Sequence, residues 1–264
     1  VFLLFRLGVA AAPESRIVGG SPVTIQEFPY IVSYTYFYPG PSITIQRCVG
    51  CLLSSFHVLT TAFCFTGAVL DNMQIRAGST NSLAGGTLVN IRDFVKHPDY
   101  QETPRTADVA VTFLASALGI TDSINVLYLP PTGTFIPDGQ TMKVVSWGFE
   151  SASGPQIDIL KTINLQKINV ADCEATYADS SSVVISDDVI CANAAGKGMC
   201  LGDSGAPMVI NNVIVGISSY MEACASDEYP DVFSRVDRFT DWILQAAASG
   251  RGTPSILTAP VVGH

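Results

Sequence analysis

A serine held between glycines, Gly202-Asp203-Ser204-Gly205, is the string in this chain best suited to covalent chemistry. Such a serine can occupy a tight turn whose backbone N–H groups point at the negative oxygen that develops when its hydroxyl attacks a carbonyl. The same four residues also make an ordinary turn. Context narrows the choice, because Cys200 precedes the string and Ala206-Pro207 and the apolar run Met208-Val209-Ile210 follow it. A serine hydroxyl is a weak nucleophile unless a base stands beside it. The chain has three histidines, His57, His97 and His264, and none adjoins the string in sequence.

Seven cysteines are present: Cys48, Cys51, Cys64, Cys173, Cys191, Cys200 and Cys224. No CxxC pair stands next to a second one, so with so few histidines a zinc site is not expected. An odd count in an oxidising compartment implies three bridges and one free thiol, with the connectivity open. The N-terminal stretch 1–12 is apolar apart from Arg6 and ends in small residues, which reads as the remnant of a secretory signal peptide. A buried N-terminal strand is the competing interpretation.

The elements that must position Ser204 are short apolar or alternating runs broken by Gly, Pro, Asn and Ser. Examples are Ile31–Tyr38, Val58–Cys64, Leu88–Val95, Val109–Leu114, Met142–Trp147 and Val213–Ser218. Their length and β-branched content predict strands of an antiparallel barrel or sandwich. Phe239, Trp242, Ile243, Ala246 and Ala247 fall on one face of a helix that Ser249-Gly250 ends. The stretch 249–264 is expected to be a loose tail. With 264 residues, 48% hydrophobic and 14% charged, the chain can build a substantial core as one unit. A net charge of −9, with only 14 basic residues and no Lys/Arg run, argues against nucleic acid or an anionic membrane as partner.

Taken together, four segments in order resemble the chymotrypsin/trypsin-like serine proteases. Cys-Leu-Gly-Asp-Ser-Gly-Ala-Pro from Cys200 resembles their nucleophile segment. Arg16-Ile17-Val18-Gly19-Gly20 resembles their zymogen activation site. Cys48–Leu53 through Thr60–Cys64 is similar to the segment bearing their histidine, and Ala107-Asp108-Val109-Ala110-Val111 to the one bearing their aspartate. The opening Arg-Ile-Val-Gly-Gly-Ser-Pro and Ile75-Arg-Ala-Gly-Ser look most like insect digestive trypsins. The resemblance implies an all-β fold of two six-stranded antiparallel β-barrels, roughly 17–125 and 126–248, with a C-terminal α-helix. It implies a chain divided into signal remnant 1–12, activation peptide 13–16, protease domain 17–248 and tail 249–264.

The same resemblance implies disulfides Cys48–Cys64, Cys173–Cys191 and Cys200–Cys224, leaving Cys51 as a buried, inert thiol. It implies catalytic roles for Ser204 and Asp108, an oxyanion hole from the N–H groups of Gly202 and Ser204, and an ion pair between the Ile17 amine and Asp203 after cleavage at Arg16. It places a specificity pocket at Gly198, Ser219, Tyr220, Met221 and Asp231. The acid six residues before the serine in trypsins is Gly198 here. Asp231 is either an acid on the pocket wall that attracts Arg or Lys, with Met221 narrowing the entrance, or a group that is solvated or bonded to backbone. The Glu pair of the family's calcium loop is absent from Arg76–Thr87, so no metal and no cofactor are expected.

One departure matters most. The residue before the second cysteine of the first bridge is the family's catalytic histidine, and here it is Phe63. Phenylalanine has no lone pair and no exchangeable proton. His57 is expected in the core or at a strand edge, and His97, in Lys96-His97-Pro98-Asp99, in a solvated loop. Asp108 is expected to bond to backbone near Ala62-Phe63 and to Ser219, and to titrate above an ordinary carboxylate. These features imply a secreted, extracellular, monomeric homologue that binds peptides, protease inhibitors or an active protease and cuts little or nothing. The alternative is an active serine-type endopeptidase, digestive in role, with an atypical site.

Overall fold

The structure, a computed structural model, describes residues 18–149, 151, 153, 154, 156, 158–250 and 256–260. The stretches 1–12 and 13–16 read above as signal remnant and activation peptide, with Arg16, Ile17 and His264, lie outside the described residues.

Thirteen strands and two α-helices follow in chain order among the described residues. They are β1 (Ser21–Pro22), β2 (Ile31–Tyr38), β3 (Ile43–Ser54), β4 (His57–Thr60), β5 (Met73–Ala77), β6 (Thr87–Lys96), β7 (Ala110–Leu114), β8 (Thr141–Ser146) and β9 (Lys161–Lys167). Then come α1 (Val170–Thr176), β10 (Val189–Asn193), β11 (Pro207–Ile210), β12 (Val213–Tyr220), β13 (Asp231–Arg235) and α2 (Val236–Ser249). Strands β2-β3-β4-β7-β6-β5 close into one antiparallel barrel. The second sheet runs β9-β10-β13-β12-β11-β8, and β8 pairs back onto β9 to close six strands. The barrel expectation stands, with one change. The short β1 pairs Ser21 with Thr162 and Pro22 with Lys161, so the first residues join the second barrel rather than the first.

The near-continuous apolar runs of the first barrel have a simple cause. Side chains alternate between the two faces of a strand, and here both faces are buried. Val32, Tyr34 and Tyr36 of β2, Cys48 and Leu52 of β3 and Val58 of β4 fill the barrel interior. Ile31, Val49, Cys51, Leu53 and Leu59 instead join a core shared with the second barrel and with Phe239, Ile243, Ala246 and Ala247 of α2. Bulges at Tyr34/Thr35 in the β2–β3 pair and at Leu52/Ser54 in the β3–β4 pair bend these strands, as barrel closure requires.

The helix expected near the C-terminus is α2, and Gly250 ends it in extended conformation, φ −76°. The seven-residue α1, capped by Asn169 accepting from Ala171 N, was not anticipated. The tail expectation needs correction for residues 256–260. Leu129 N donates to Leu257 O (2.9 Å) and Ala259 N to Leu129 O (2.8 Å), so this stretch is strapped to the segment joining the barrels. The disulfides Cys48–Cys64, Cys173–Cys191 and Cys200–Cys224 are all formed, and Cys51 is free and fully buried. Burial pushes its thiol well above the ordinary range.

Candidate active site

Each barrel contributes loops to one seam. From the first come the 3₁₀ turn Ala62–Phe65 after β4, carrying Phe63, and the loop before β7, carrying Asp108. From the second come the turn before β11, carrying Gly202 to Gly205, the end of β12 with Ser219 and Tyr220, and the start of β13 with Asp231. The turn around Ser204 is fastened across the seam, because Val49 N of β3 donates to Ser204 O at 2.8 Å. Gly205 is forced at this crossing. Its φ is +85°, and a Cβ there would lie 2.0 Å from Val49 O and 2.3 Å from Thr60 Oγ1. Gly202 has φ +86°, and its carbonyl accepts from Gln46 Nε2 at 2.7 Å. Gln46 is itself held by Gln156, whose Nε2 donates to Gln46 O at 2.7 Å. Sequence reading did not anticipate this amide clamp.

Among the described residues the N–H groups of Gly202 and Ser204 donate to no protein acceptor, and the Ser204 hydroxyl has no partner. Asp203 is fully buried and points inward, accepting from Gly148 N (2.8 Å) and Cys200 N (2.9 Å). Burial raises its carboxyl to about 6, against the pull of the Ser146 hydroxyl, those two N–H groups and the Lys161 charge. Val18 bridges Gly198, so the described chain begins against the loop leading into Cys200.

Asp108 is 1% exposed and its oxygens are well occupied. Phe63 N donates to Oδ1 at 2.8 Å and the Ser219 hydroxyl to Oδ2 at 2.7 Å. Ser234 Oγ donates to the Asp108 backbone carbonyl at 2.8 Å, fixing the main chain below. Burial holds the carboxyl above its usual range, and the Ser219 hydroxyl, the Arg105 charge and the Phe63 and Ala62 N–H groups limit the rise. The Arg105 contribution was not read from the sequence. Its Nη1 is 3.9 Å from Asp108 Oδ2, and its guanidinium lies 4.0 Å over the Phe63 ring. The sequence signal was slight: an arginine three residues before the aspartate in a chain poor in cations.

Both described histidines are held by contacts of their own. The His57 ring hydrogen-bonds Ser54 Oγ at 2.7 Å through Nδ1, engages the Ala247 backbone and meets Phe113 edge to face. Burial lowers its pKa. The expectation of a solvated His97 needs correction. Its ring packs on Phe239 and Trp242 of α2 at 5.2 and 4.8 Å, leaving the side chain 14% exposed.

Gly198 and Asp231 are brought together across the Cys200–Cys224 bridge. A Cβ on Gly198 would fall 2.9 Å from Asp231 Oδ2 and 2.7 Å from Ala225 Cα. Asp231 is 4% exposed and accepts from Met199 N at 2.8 Å, so it is bonded to backbone and not solvated. Burial raises it to about 7, with the Asp203 charge adding to the rise. Tyr220 and Met221 stand half-buried beside Ser219.

A protein-family model described as Trypsin matches residues 17–243. The chain is 33% identical over 240 residues to "Trypsin, alkaline C" of Manduca sexta, covering 89% of this chain and 93% of the relative. It is 32% identical over 250 residues to "Trypsin alpha" of Drosophila melanogaster, covering 92% and 91%. With "Trypsin" of Phaedon cochleariae it shares 30% identity over 236 residues, 88% of each.

Proposed function

The chain belongs to the trypsin family of serine proteases, and from that premise we propose that it is a secreted, extracellular pseudoprotease. It binds peptides, protease inhibitors or an active relative in its cleft and hydrolyses peptide bonds little or not at all. In this reading the domain is 17–248, cleavage after Arg16 frees the Ile17 amine, and Asp203 receives it. A buried carboxyl held near 6 by desolvation is a group that an arriving cation would stabilise.

Ser204 keeps the nucleophile's place, the unspent N–H groups of Gly202 and Ser204 form the oxyanion hole, and Asp108 is the orienting acid. Phe63 holds the base's place. Attack on a carbonyl requires the serine proton to leave as the C–O bond forms, and expulsion of the amine requires a proton to be returned. A benzene ring can do neither. Loss of the base from such a site costs about 10⁶ in turnover in a well-studied case. The pocket is formed by Gly198, Ser219, Tyr220, Met221 and Asp231, whose carboxyl is buried and taken by the Met199 N–H.

The observation that carries the reading is the engagement of His57 and His97 elsewhere in the fold. The test is hydrolysis of Arg, Lys and aromatic peptide esters by the chain cleaved after Arg16, with Ser204→Ala alongside. The expected result is turnover no faster than the alanine variant, together with one-to-one binding of a protein protease inhibitor by calorimetry. Robust turnover abolished by Ser204→Ala establishes the other reading, an active endopeptidase with an atypical site.

A further inference from the structure

Arg105 lies in the middle of the seam. Its guanidinium carbon is 4.0 Å from the ring centre of Phe63 and 5.9 Å from that of Tyr220. Nη1 donates to Ser219 O at 2.8 Å while standing 3.9 Å from Asp108 Oδ2. The main chain is fastened on both sides, with Arg105 N donating to Ser182 O (2.8 Å) and Arg105 O accepting from Val184 N (3.3 Å). The side chain is 13% exposed. A flat, weakly hydrated cation suits the space between two rings, which an ammonium would fill poorly.

We infer that Arg105 is a positioning residue that sets the chemistry of this cleft independently of Phe63: it covers the ring, shares the charge of Asp108 and occupies the Ser219 carbonyl. The inference rests on the reading of Ser204, Asp108 and position 63 as a peptidase-type site. Three consequences follow for an imidazole placed at position 63. A cation would lie across its face, and like charge disfavours the imidazolium that must form when it accepts the serine proton. Asp108, whose negative charge would otherwise stabilise that imidazolium, is already shared with Arg105. A peptide laid beside β12 as an added strand would have to compete with Arg105 for the Ser219 carbonyl. Restoring the imidazole alone therefore leaves the site nearly inert.

The charged and titratable groups around that position are Asp108 beneath it and Arg105 above it. Beyond them are Lys96, stacked on Tyr100, with Asp108 acting on both, and Tyr220, hydrogen-bonded to Glu222. Of these, Arg105 stacks on the ring and contacts Asp108.

The experiment compares Ser204 labelling by a fluorophosphonate from pH 5 to 9 in the chain cleaved after Arg16. The proteins are wild type, Arg105→Leu, Phe63→His and Phe63→His/Arg105→Leu, each checked by thermal melting. Phe63→His alone is expected to stay within ~10-fold of wild type, and the double variant to exceed it by ~100-fold or more, the usual worth of a working general base. The labelling midpoint of the double variant is expected at higher pH than that of Phe63→His, because the cation above the ring is gone. Phe63→His/Arg105→Gln, which keeps a donor for Ser219 O without the charge, gives the same upward shift and serves if the leucine variant does not fold. Equal rates for Phe63→His and the double variant, or equal midpoints, overturn the inference and leave wild-type inactivity standing. Fast wild-type labelling instead sinks the proposed inactivity, and the Arg105→Leu comparison within that background still decides the role of Arg105.

Discussion

Asp108 and Asp231 are both sealed from water, yet their surroundings share little. Asp108 sits where the barrels meet and draws compensation from several segments: a hydroxyl from β12, backbone N–H groups from the turn after β4, and a guanidinium from the loop before β7. Asp231 lies under Gly198 within the second barrel and accepts from the Met199 N–H. Desolvation is the largest influence on both, but at Asp231 it has little opposition and lifts the carboxyl to about 7. One acid of the cleft has its charge balanced by its neighbours. The other is poised to gain or lose it near neutral pH.

The largest expected effect comes from removing that balance. Arg105→Met leaves Asp108 buried without its counter-charge and should cost about 3–5 kcal/mol of folding stability at pH 8, read by chemical denaturation. The loss should shrink toward acid pH, as Asp108 takes up a proton. A loss under 1 kcal/mol at pH 8 would mean that the hydroxyl and N–H groups suffice.

Asp231 gives the next effect, with the opposite sign. Its folded pKa lies above the unfolded value, so between roughly pH 4 and pH 7 the native state holds a proton that the unfolded chain has released. Stability from this group is present at low pH, falls as pH rises through that window and levels off above it. Asp231→Asn, which keeps an acceptor for Met199 N, should therefore stabilise the chain by up to about 4 kcal/mol at pH 8 and leave it unchanged near pH 4. Parallel stability curves for wild type and variant across that range would contradict the assignment.

The smallest effect sharpens the account of Asp108. Ser219→Ala removes one donor while Arg105 stays, and should cost about 1.5 kcal/mol, the low end for a hydrogen bond to a charged group. It should also raise the Asp108 pKa, measurable by carboxyl-selective NMR titration.

Much of the architecture was legible because burial writes itself into residue choice. Strands covered on both faces, such as Ile31–Tyr38, become near-continuous apolar runs, and α2 declares itself through Phe239, Ile243 and Ala247 at helical spacing. The seven-residue α1 is too short to show a period and was missed. Segment 256–260 was misjudged because its order comes from backbone bonds to Leu129, which no side-chain pattern encodes. Within the site, Gly202 and Gly205 were readable because a left-handed turn and a close crossing demand glycine. Arg105 was not, since its role arises only where loops from both barrels meet over Phe63.

The lone unpaired sulfur of Cys51 faces the layer between the barrels, with none of its surface in contact with solvent. It can be alkylated only when that layer opens, so its rate of reaction with a small thiol reagent is a native clock for separation of the two halves. Ser204 is tethered across the same layer through Val49. Ligands that tighten the cleft should slow that clock, reporting occupancy without any label or turnover.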